Sequence, residues 1–364
     1  MSILLGKSVF PPARQHPRTL ELRKHNEEYF LGCWPLTDKS DAARQDFSRS
    51  MSTLADFTAK AIPDTEHWEK LVLASRVITL GFLIDDMLDE DPLYDSNTKF
   101  KIISGLLEVI NGNKKPDLNL YWEVTSNNIW RGIQQSCTAT EFSQMTRTVE
   151  ACFLASHDVP LPESFEKWLV HRCHNSGADW IWSVTRYAME CPVTDEELTH
   201  PIVREVEDSA AVAASLVNDI VSLSKEKLAN CGELNAISII RNYGLASTEE
   251  EALSEASNIV AQSSRQLTEL TKRGLADPML SSEMKRWISA ILYVVSGNAW
   301  WSQLTLRYNL PGLPAPRMTI NIEGEGDTII EPPWQLAGLE FNKSNDGTNF
   351  SESSGHPRTA QTVV

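Results

Sequence analysis

The sequence predicts an all-α fold, a single-domain helical bundle. Three observations predict it. Apolar residues recur at three- and four-residue spacing almost throughout, Pro and Gly fall between the periodic stretches, and no period-two alternation lasts beyond Met318–Ile322. The first periodic stretches cover 19–31 and 41–60, and Pro63 separates the second from 66–89. The next, 98–110, ends at Asn111-Gly112-Asn113, and 121–156 runs up to Pro160 and Pro162. Pro192 follows 163–190, and 201–228 leads to Gly232. Gly232 and Gly244 bracket 234–242, and Gly274 with Pro278 closes 249–273. The last stretch, 282–309, stops before Pro311, Pro314 and Pro316. Two capping-box patterns, Thr194-x-x-Glu197 and Ser247-x-x-Glu250, mark helix starts where hydroxyl and carboxylate satisfy free amides reciprocally.

The chain has 364 residues, 33 Lys and Arg against 49 Asp and Glu, and a net charge of −16. Its length suits one large domain, read here as 16–315 after a short N-terminal segment, 1–15. From 316 to 364 composition shifts to Pro, Gly, Asn, Ser and Thr, which predicts a tail. Its end, Asn342 to Val364, has too little apolar surface to offset ordering entropy and is expected to be disordered. Ile320, Ile322 and Trp334 are the apolar residues that would pack its first part on the body.

The acidic balance argues against nucleic-acid or anionic-membrane binding, which needs clustered Lys and Arg. It still permits an anionic ligand where divalent cations bridge carboxylate to phosphate. The N-terminus has too short an apolar run for a signal peptide, and 288–304 is interrupted by polar residues, so no membrane insertion is expected. Six scattered cysteines without CxxC spacing suggest reduced thiols in a cytoplasmic protein. The eleven Trp residues are core material that can also line an apolar pocket.

Two clusters carry the chemistry. The apolar helix 71–84 ends in Asp85-Asp86-Met87-Leu88-Asp89-Glu90-Asp91, where Asp85 and Asp89 share a face and Asp86 and Glu90 form a second pair. Carboxylates repel at this spacing and oppose the dipole at a helix C-terminus, a conflict that a bound cation removes. In so acidic a chain such a pattern arises by chance about once, so alone it is equally a solvated charge run. Within 202–228, Asn218, Ser222 and Glu226 lie at i, i+4 and i+8. They span about 12 Å along the axis, and the long Glu leans back toward the N-terminus, so three oxygens can meet one cation. Small residues precede them on that face, Ala211, Ala214 and Ser215. This second pattern has a chance expectation of about 0.03 and carries the stronger signal. His171 and His174 have no second ligand pair at compatible spacing for zinc.

Together the clusters resemble the class I terpene synthase family. Asp85-Asp-Met-Leu-Asp89 resembles its aspartate-rich motif, and Asn218-Asp-Ile-Val-Ser222-Leu-Ser-Lys225-Glu226 its NSE motif, with the Lys-Glu ending of fungal members. Arg172 stands where the family carries its diphosphate-sensing arginine, and Arg307-Tyr308 resembles its Arg-Tyr pair. The likeness covers roughly 15–315. Bacterial members follow the sensor with an Asp linker and a Gly effector; here those positions are Asn175 and Ser176, with Gly177 next.

The resemblance implies ionisation of an allylic prenyl diphosphate and cyclisation of the carbocation. It implies three magnesium ions, with manganese as substitute, held by Asp85, Asp89, Asn218, Ser222 and Glu226. It implies diphosphate binding by Arg172, Lys225, Arg307 and Tyr308. Phe82, Ser176, Gly177, Trp300 and Trp301 are the pocket candidates, each aromatic being equally a plain core residue. The expected substrate is farnesyl diphosphate, giving a sesquiterpene hydrocarbon or alcohol in a cytoplasmic monomer or homodimer. The alternatives are a diterpene synthase using geranylgeranyl diphosphate, then a prenyl elongase, which would carry a second aspartate-rich motif at 218–226. A non-catalytic helical binding protein is the last.

Overall fold

The computed structural model describes residues 5–36, 39–90, 94–155, 162–229, 231–309, 318–322 and 326–329. By contacts the chain divides into Met1–Ile330 and Glu331–Val364. The first unit holds every described element. The second, with Trp334 and the expected Asn342–Val364 end, lies outside the described residues.

The helices are α1 (Thr19–Cys33), α2 (Asp41–Ala61), α3 (Trp68–Glu90), α4 (Ser96–Ile110), α5 (Tyr121–Gln135), α6 (Ala139–Ala155) and α7 (Phe165–Asn175). They continue as α8 (Ala178–Ala188), α9 (Asp195–Leu198), α10 (Pro201–Leu228), α11 (Ala236–Asn242), α12 (Glu249–Ala276) and α13 (Ser282–Leu304). Five of them close a ring: α2 packs on α3, α3 on α8, α8 on α10, α10 on α13 and α13 back on α2. α3 reads apolar nearly all round because it is covered by α1, α2, α5 and α8. α10 begins with Pro201 in its first turn, where the missing amide costs nothing. Trp182, Trp287 and Trp301 are among the largest fully buried side chains.

The helical pattern differs from expectation at identifiable points. The stretch 121–156 is two helices, α5 and α6, although apolar spacing runs on across the join. Ser136 Oγ bonds back to the carbonyls of Gly132 and Ile133 at 2.9 and 3.0 Å, which ends α5. Thr138 and Glu141 then bond each other's amides at 3.2 and 2.9 Å, a capping box that starts α6. The stretch 163–190 breaks at Ser176-Gly177, where Gly177 takes φ +76°, a conformation that favours a residue without Cβ. The Thr194–Glu197 box is present, but the box at α12 uses Thr248 and Glu251, one residue later than expected. α13 ends at Leu304, so Arg307 and Tyr308 sit in the turn that follows.

The body also carries a small sheet that the all-α reading did not include. β1 (Leu5–Val9) pairs in parallel with β2 (Met318–Ile322), and β2 pairs antiparallel with β3 (Gly326–Ile329). β2 is the alternating run noted in the sequence. Among the described residues no helix is long and apolar enough to cross a membrane, and all six cysteines are free.

Candidate active site

α3 and α10 bring the two acidic clusters face to face. The clearest link is Lys225 Nζ, which lies 2.8 Å from Asp86 Oδ1. Arg307 arrives at the same carboxylate from the turn after α13, with Nη1 2.5 Å from Oδ2 and Nη2 2.7 Å from Oδ1. This fork is the bidentate geometry that makes Arg–carboxylate pairs strong. Asp85 Oδ2 lies 3.8 Å from the same guanidinium. Burial pushes the Asp86 carboxyl up, but Arg307 and Lys225 more than offset it, so its pKa lies below the ordinary aspartate value. Burial likewise opposes the charge on Arg307, and Asp86 reverses the balance, so the guanidinium stays charged.

On α10, the buried Asp219 receives Arg172. Arg172 Nη2 is 2.5 Å and Nε 3.0 Å from Asp219 Oδ1, and the backbone amide of Ala236 donates to Oδ2 at 3.2 Å. The guanidinium reaches two further groups. Nη2 lies 3.3 Å from Asn218 Oδ1, and Nη1 donates to Asn175 Oδ1 at 2.8 Å. Asn175 thus meets the guanidinium with an amide oxygen. Asn218 Nδ2 donates to Tyr308 Oη at 2.8 Å. Burial raises the Tyr308 pKa, so the phenol keeps its proton and can donate it onward.

One turn on, Ser222 Oγ donates to Glu226 Oε1 at 2.5 Å, and Asn235 Nδ2 donates to Glu226 Oε2 at 2.9 Å. Asn235 also bonds the Asp219 carbonyl at 2.8 Å and caps α11 by accepting from Ile237 N. Burial and the neighbouring charge of Asp219 raise the Glu226 pKa. The stripe therefore presents an amide oxygen, a hydroxyl and a carboxylate short of positive charge, an all-oxygen set that fits a hard divalent cation. The set mixes donor types, and among the described residues no three His, Cys, Asp or Glu side chains converge as a metal site. His174 Nδ1 lies 3.4 Å from Asp179, and among the described residues no metal-ligand group forms around His171 and His174.

The structure thus gathers Asp85, Arg172, Asn218, Ser222, Lys225, Glu226, Arg307 and Tyr308. The Asp89 side chain lies outside the described residues. Asp86, Asp219, Asn175 and Asn235 are hydrogen-bond partners of these residues, and none of the four is among the site residues expected from the motifs.

The pocket residues divide. Phe82 lies under Arg307, 5.0 Å from the guanidinium, and its ring meets Trp301 at 5.5 Å. Trp301 meets Tyr308 at 5.6 Å and anchors through Nε1 to Thr53 O at 2.6 Å. Trp300 is partly buried against the core. The apolar cavity lies on the other flank of α3, lined by Gly81, Ile84, Trp130, Phe153 and Trp180 among others, and not by Phe82, Trp300 or Trp301. Ser176 and Gly177 form the break before Trp180. The Gly177 carbonyl accepts from Ile181 N at 2.9 Å and so belongs to α8, whereas the Ser176 carbonyl stands at the break itself.

Residues 76–266 match the model of terpene synthase family 2, C-terminal metal binding. The chain is 24% identical to an aristolochene synthase of Aspergillus terreus, over 83% of this chain and 93% of that one. It is 23% identical to a bifunctional sesterterpene synthase of Talaromyces wortmannii, covering 95% of this chain and 48% of that longer protein. In fold it is similar to the crystal structure of aristolochene synthase from Penicillium roqueforti. That match has a TM-score of 0.68 at 21% identity and covers 82% of this chain and 100% of the other.

Proposed function

The chain belongs to terpene synthase family 2, whose metal-binding model it matches over more than half its length, and from that membership we propose that it is a sesquiterpene synthase acting on farnesyl diphosphate in the cytoplasm. As a class I terpene synthase it is a lyase that cyclises prenyl diphosphates with divalent metal. The proposal concerns substrate length, the ions and the residues. The observation that carries the site is the meeting of the two clusters, with Arg172, Lys225, Arg307 and Tyr308 set between Asp85 and the Asn218–Glu226 stripe.

Asp85 and Asp89 hold metal on the α3 side; Asn218, Ser222 and Glu226 hold it on the α10 side. Bound there, magnesium neutralises the diphosphate so that it becomes a competent leaving group. The chain's own donors do the rest. Arg307 and Arg172 offer forks to phosphate oxygens, Lys225 a mobile point charge, and Tyr308 a hydrogen bond from a phenol that stays protonated. Lys225 and Arg307 are held at Asp86 until diphosphate competes for them, and Arg172 is held at Asp219. To the Ser176 carbonyl, outside α8, we assign the dipole that meets the developing allylic cation. The aromatic box of Phe82 and Trp301 shields the site from water and offers ring faces to positive charge.

The C15 assignment is supported by the aristolochene synthases among the relatives, and the sesterterpene synthase among them makes chain length the point to test. Purified protein incubated with farnesyl diphosphate and magnesium should yield a C15 hydrocarbon or alcohol by gas chromatography–mass spectrometry, abolished by a chelator. Turnover of geranylgeranyl diphosphate in preference would replace the reading with a diterpene synthase. Longer diphosphates formed with added isopentenyl diphosphate would indicate an elongase.

A further inference from the structure

A polar cavity lies away from that site, in the cleft where α6, α8, α9 and α10 meet. Its volume of about 280 Å³ approaches the roughly 300–1,000 Å³ of small-ligand pockets. Among the described residues none from α2, α3 or α13 lines it, so it is separate from the meeting of the two clusters. On α10 its wall is Arg204 and Glu207, and Glu207 stands eleven residues before Asn218, about 16 Å along the helix.

Arginines and carboxylates share this wall: Arg147 on α6, Asp179 and Arg186 on α8, Asp195 on α9, Arg204 and Glu207 on α10. Their charges balance, but their hydrogen bonds do not. The Arg186 side chain is 7% exposed and carries five N–H donors, yet among the described residues only Nη1 is bonded, to Glu207 Oε1 at 2.8 Å. Its Nε is buried without a partner. Trp287 Nε1 donates to the same Oε1 at 2.9 Å, so one acceptor already serves two donors. Arg204 comes no nearer than 3.9 Å to Glu207 Oε2, beyond a hydrogen bond. The other acids are engaged: Asp195 accepts from Gln144 at 3.0 Å and Arg147 at 2.9 Å, and Asp179 lies 3.4 Å from His174. Burial draws the Arg186 pKa down and the Glu207 pKa up, as it does for a pair whose charges are incompletely compensated. Buried polar groups are normally satisfied, and the surplus on this wall is of donors, the complement of an anion's acceptor oxygens.

We infer that this cavity is an anion site distinct from the active site, taking a small oxyanion, carboxylate or phosphate, between the buried Arg186 and the outer Arg147 and Arg204. Planar guanidinium forks match the paired oxygens of either group. Arg186 is preset, because Glu207 and the Trp287 ring, 5.0 Å from its guanidinium, hold it in place. Arg147 and Arg204, with side chains 60% and 50% exposed, are free to turn onto the ligand.

The test is calorimetric titration of the full chain with inorganic phosphate and with citrate, in chelator and without divalent metal. The proteins are wild type, Arg147→Gln, Arg204→Gln, Arg186→Lys and Lys225→Gln. At least one anion should bind wild type at millimolar concentration, and the stronger of the two tells phosphate from carboxylate. Arg147→Gln and Arg204→Gln should each weaken that binding about tenfold, the loss of a charge-assisted bond. Arg186→Lys keeps a cation beside Glu207 but removes the fork, and should weaken it by a similar factor; if it does not fold, the two outer variants decide. Lys225→Gln, in the active site, should leave the affinity within about twofold, since distant sites act independently. Putrescine, a dication of similar size, should not bind. No binding of either anion would overturn the assignment. So would anion binding that survives both outer variants or is lost in Lys225→Gln, and so would binding of putrescine alone.

Discussion

At the end of α3 the Asp85 side chain is 66% exposed and Asp86 26%; on α10 the Asp219 side chain is 1% exposed. Both clusters follow one scheme. The residue assigned to metal, Asp85 or Asn218, is followed directly by an aspartate that grips cations instead. Asp86 holds Arg307 and Lys225, and Asp219 holds Arg172. What differs is the solvent. On α3 the assigned metal ligand is largely exposed, 3.8 Å from Arg307, and its less exposed neighbour takes the short bonds to Arg307 and Lys225. On α10 the gripping aspartate lies beneath the stripe, and Asn235 braces Glu226 from behind. The contrast separates two roles that a motif merges: an oxygen offered to a ligand, and an oxygen that keeps the ligand's future donors in place.

If the contrast holds, stability and activity should part company along it. Asp219→Ala strips Arg172, a guanidinium 16% exposed, of its counter-charge. Breaking a buried pair by removing one partner costs about 3–5 kcal/mol, which urea denaturation would register; a loss under about 1 kcal/mol would mean the pair is not buried as described. Asp86→Ala should cost less, about 2–3 kcal/mol, because Asp85, 3.8 Å from Arg307, remains as a counter-charge and Lys225 can turn its ammonium into water. Asp85→Ala reverses the pattern. Stability should stay within about 0.5 kcal/mol of wild type, as for other exposed positions, while kcat/KM on the preferred prenyl diphosphate falls about 100-fold or more. An Asp85→Ala protein that keeps full turnover would remove α3 from the metal site.

The sequence made one side of this scheme legible and hid the other. α10 was readable end to end because Pro201 starts it and its polar stripe keeps strict i, i+4 spacing. The join at Ser136–Thr138 was not, because apolar spacing crosses it unbroken and only side-chain bonds to the backbone end α5. Asp86 and Asp219 were passed over as neighbours of motif positions, though each carries a signal. Asp219 stands at i+3 from Leu216 and i−4 from Leu223, both buried, and a charge on an apolar stripe must be paired. Asp86 follows Phe82 and Leu83 on the same terms. At α12 the slip from Ser247 to Thr248 arises because three glutamates in a row, Glu249 to Glu251, offer the box in alternative registers, and only packing chooses. The aromatic box was half visible: Trp301 does meet Tyr308, but through the turn after Leu304 and not along a continuing helix.

Asn235 gives the finest test of the contrast, because α3 has no described counterpart to it. It precedes Ala236 and Ile237 as a helix cap, and the same side chain bonds Glu226 and the Asp219 carbonyl. Asn235→Ala should therefore act twice. Loss of the cap costs about 1 kcal/mol in denaturation. Loss of the brace leaves Glu226 free to rotate, and groups that orient a metal ligand from behind typically carry about 10-fold or more in affinity. The rise in melting temperature produced by magnesium with diphosphate should then need about tenfold more metal in Asn235→Ala than in wild type. Asn235→Asp separates the two effects, since aspartate keeps the cap but sets a like charge against Glu226. Near-normal stability with weakened metal response in that variant would place the brace at the carboxylate. An undiminished metal response in both variants would mean that the α10 side is as loosely held as the α3 side, and the comparison would fail at its most specific point.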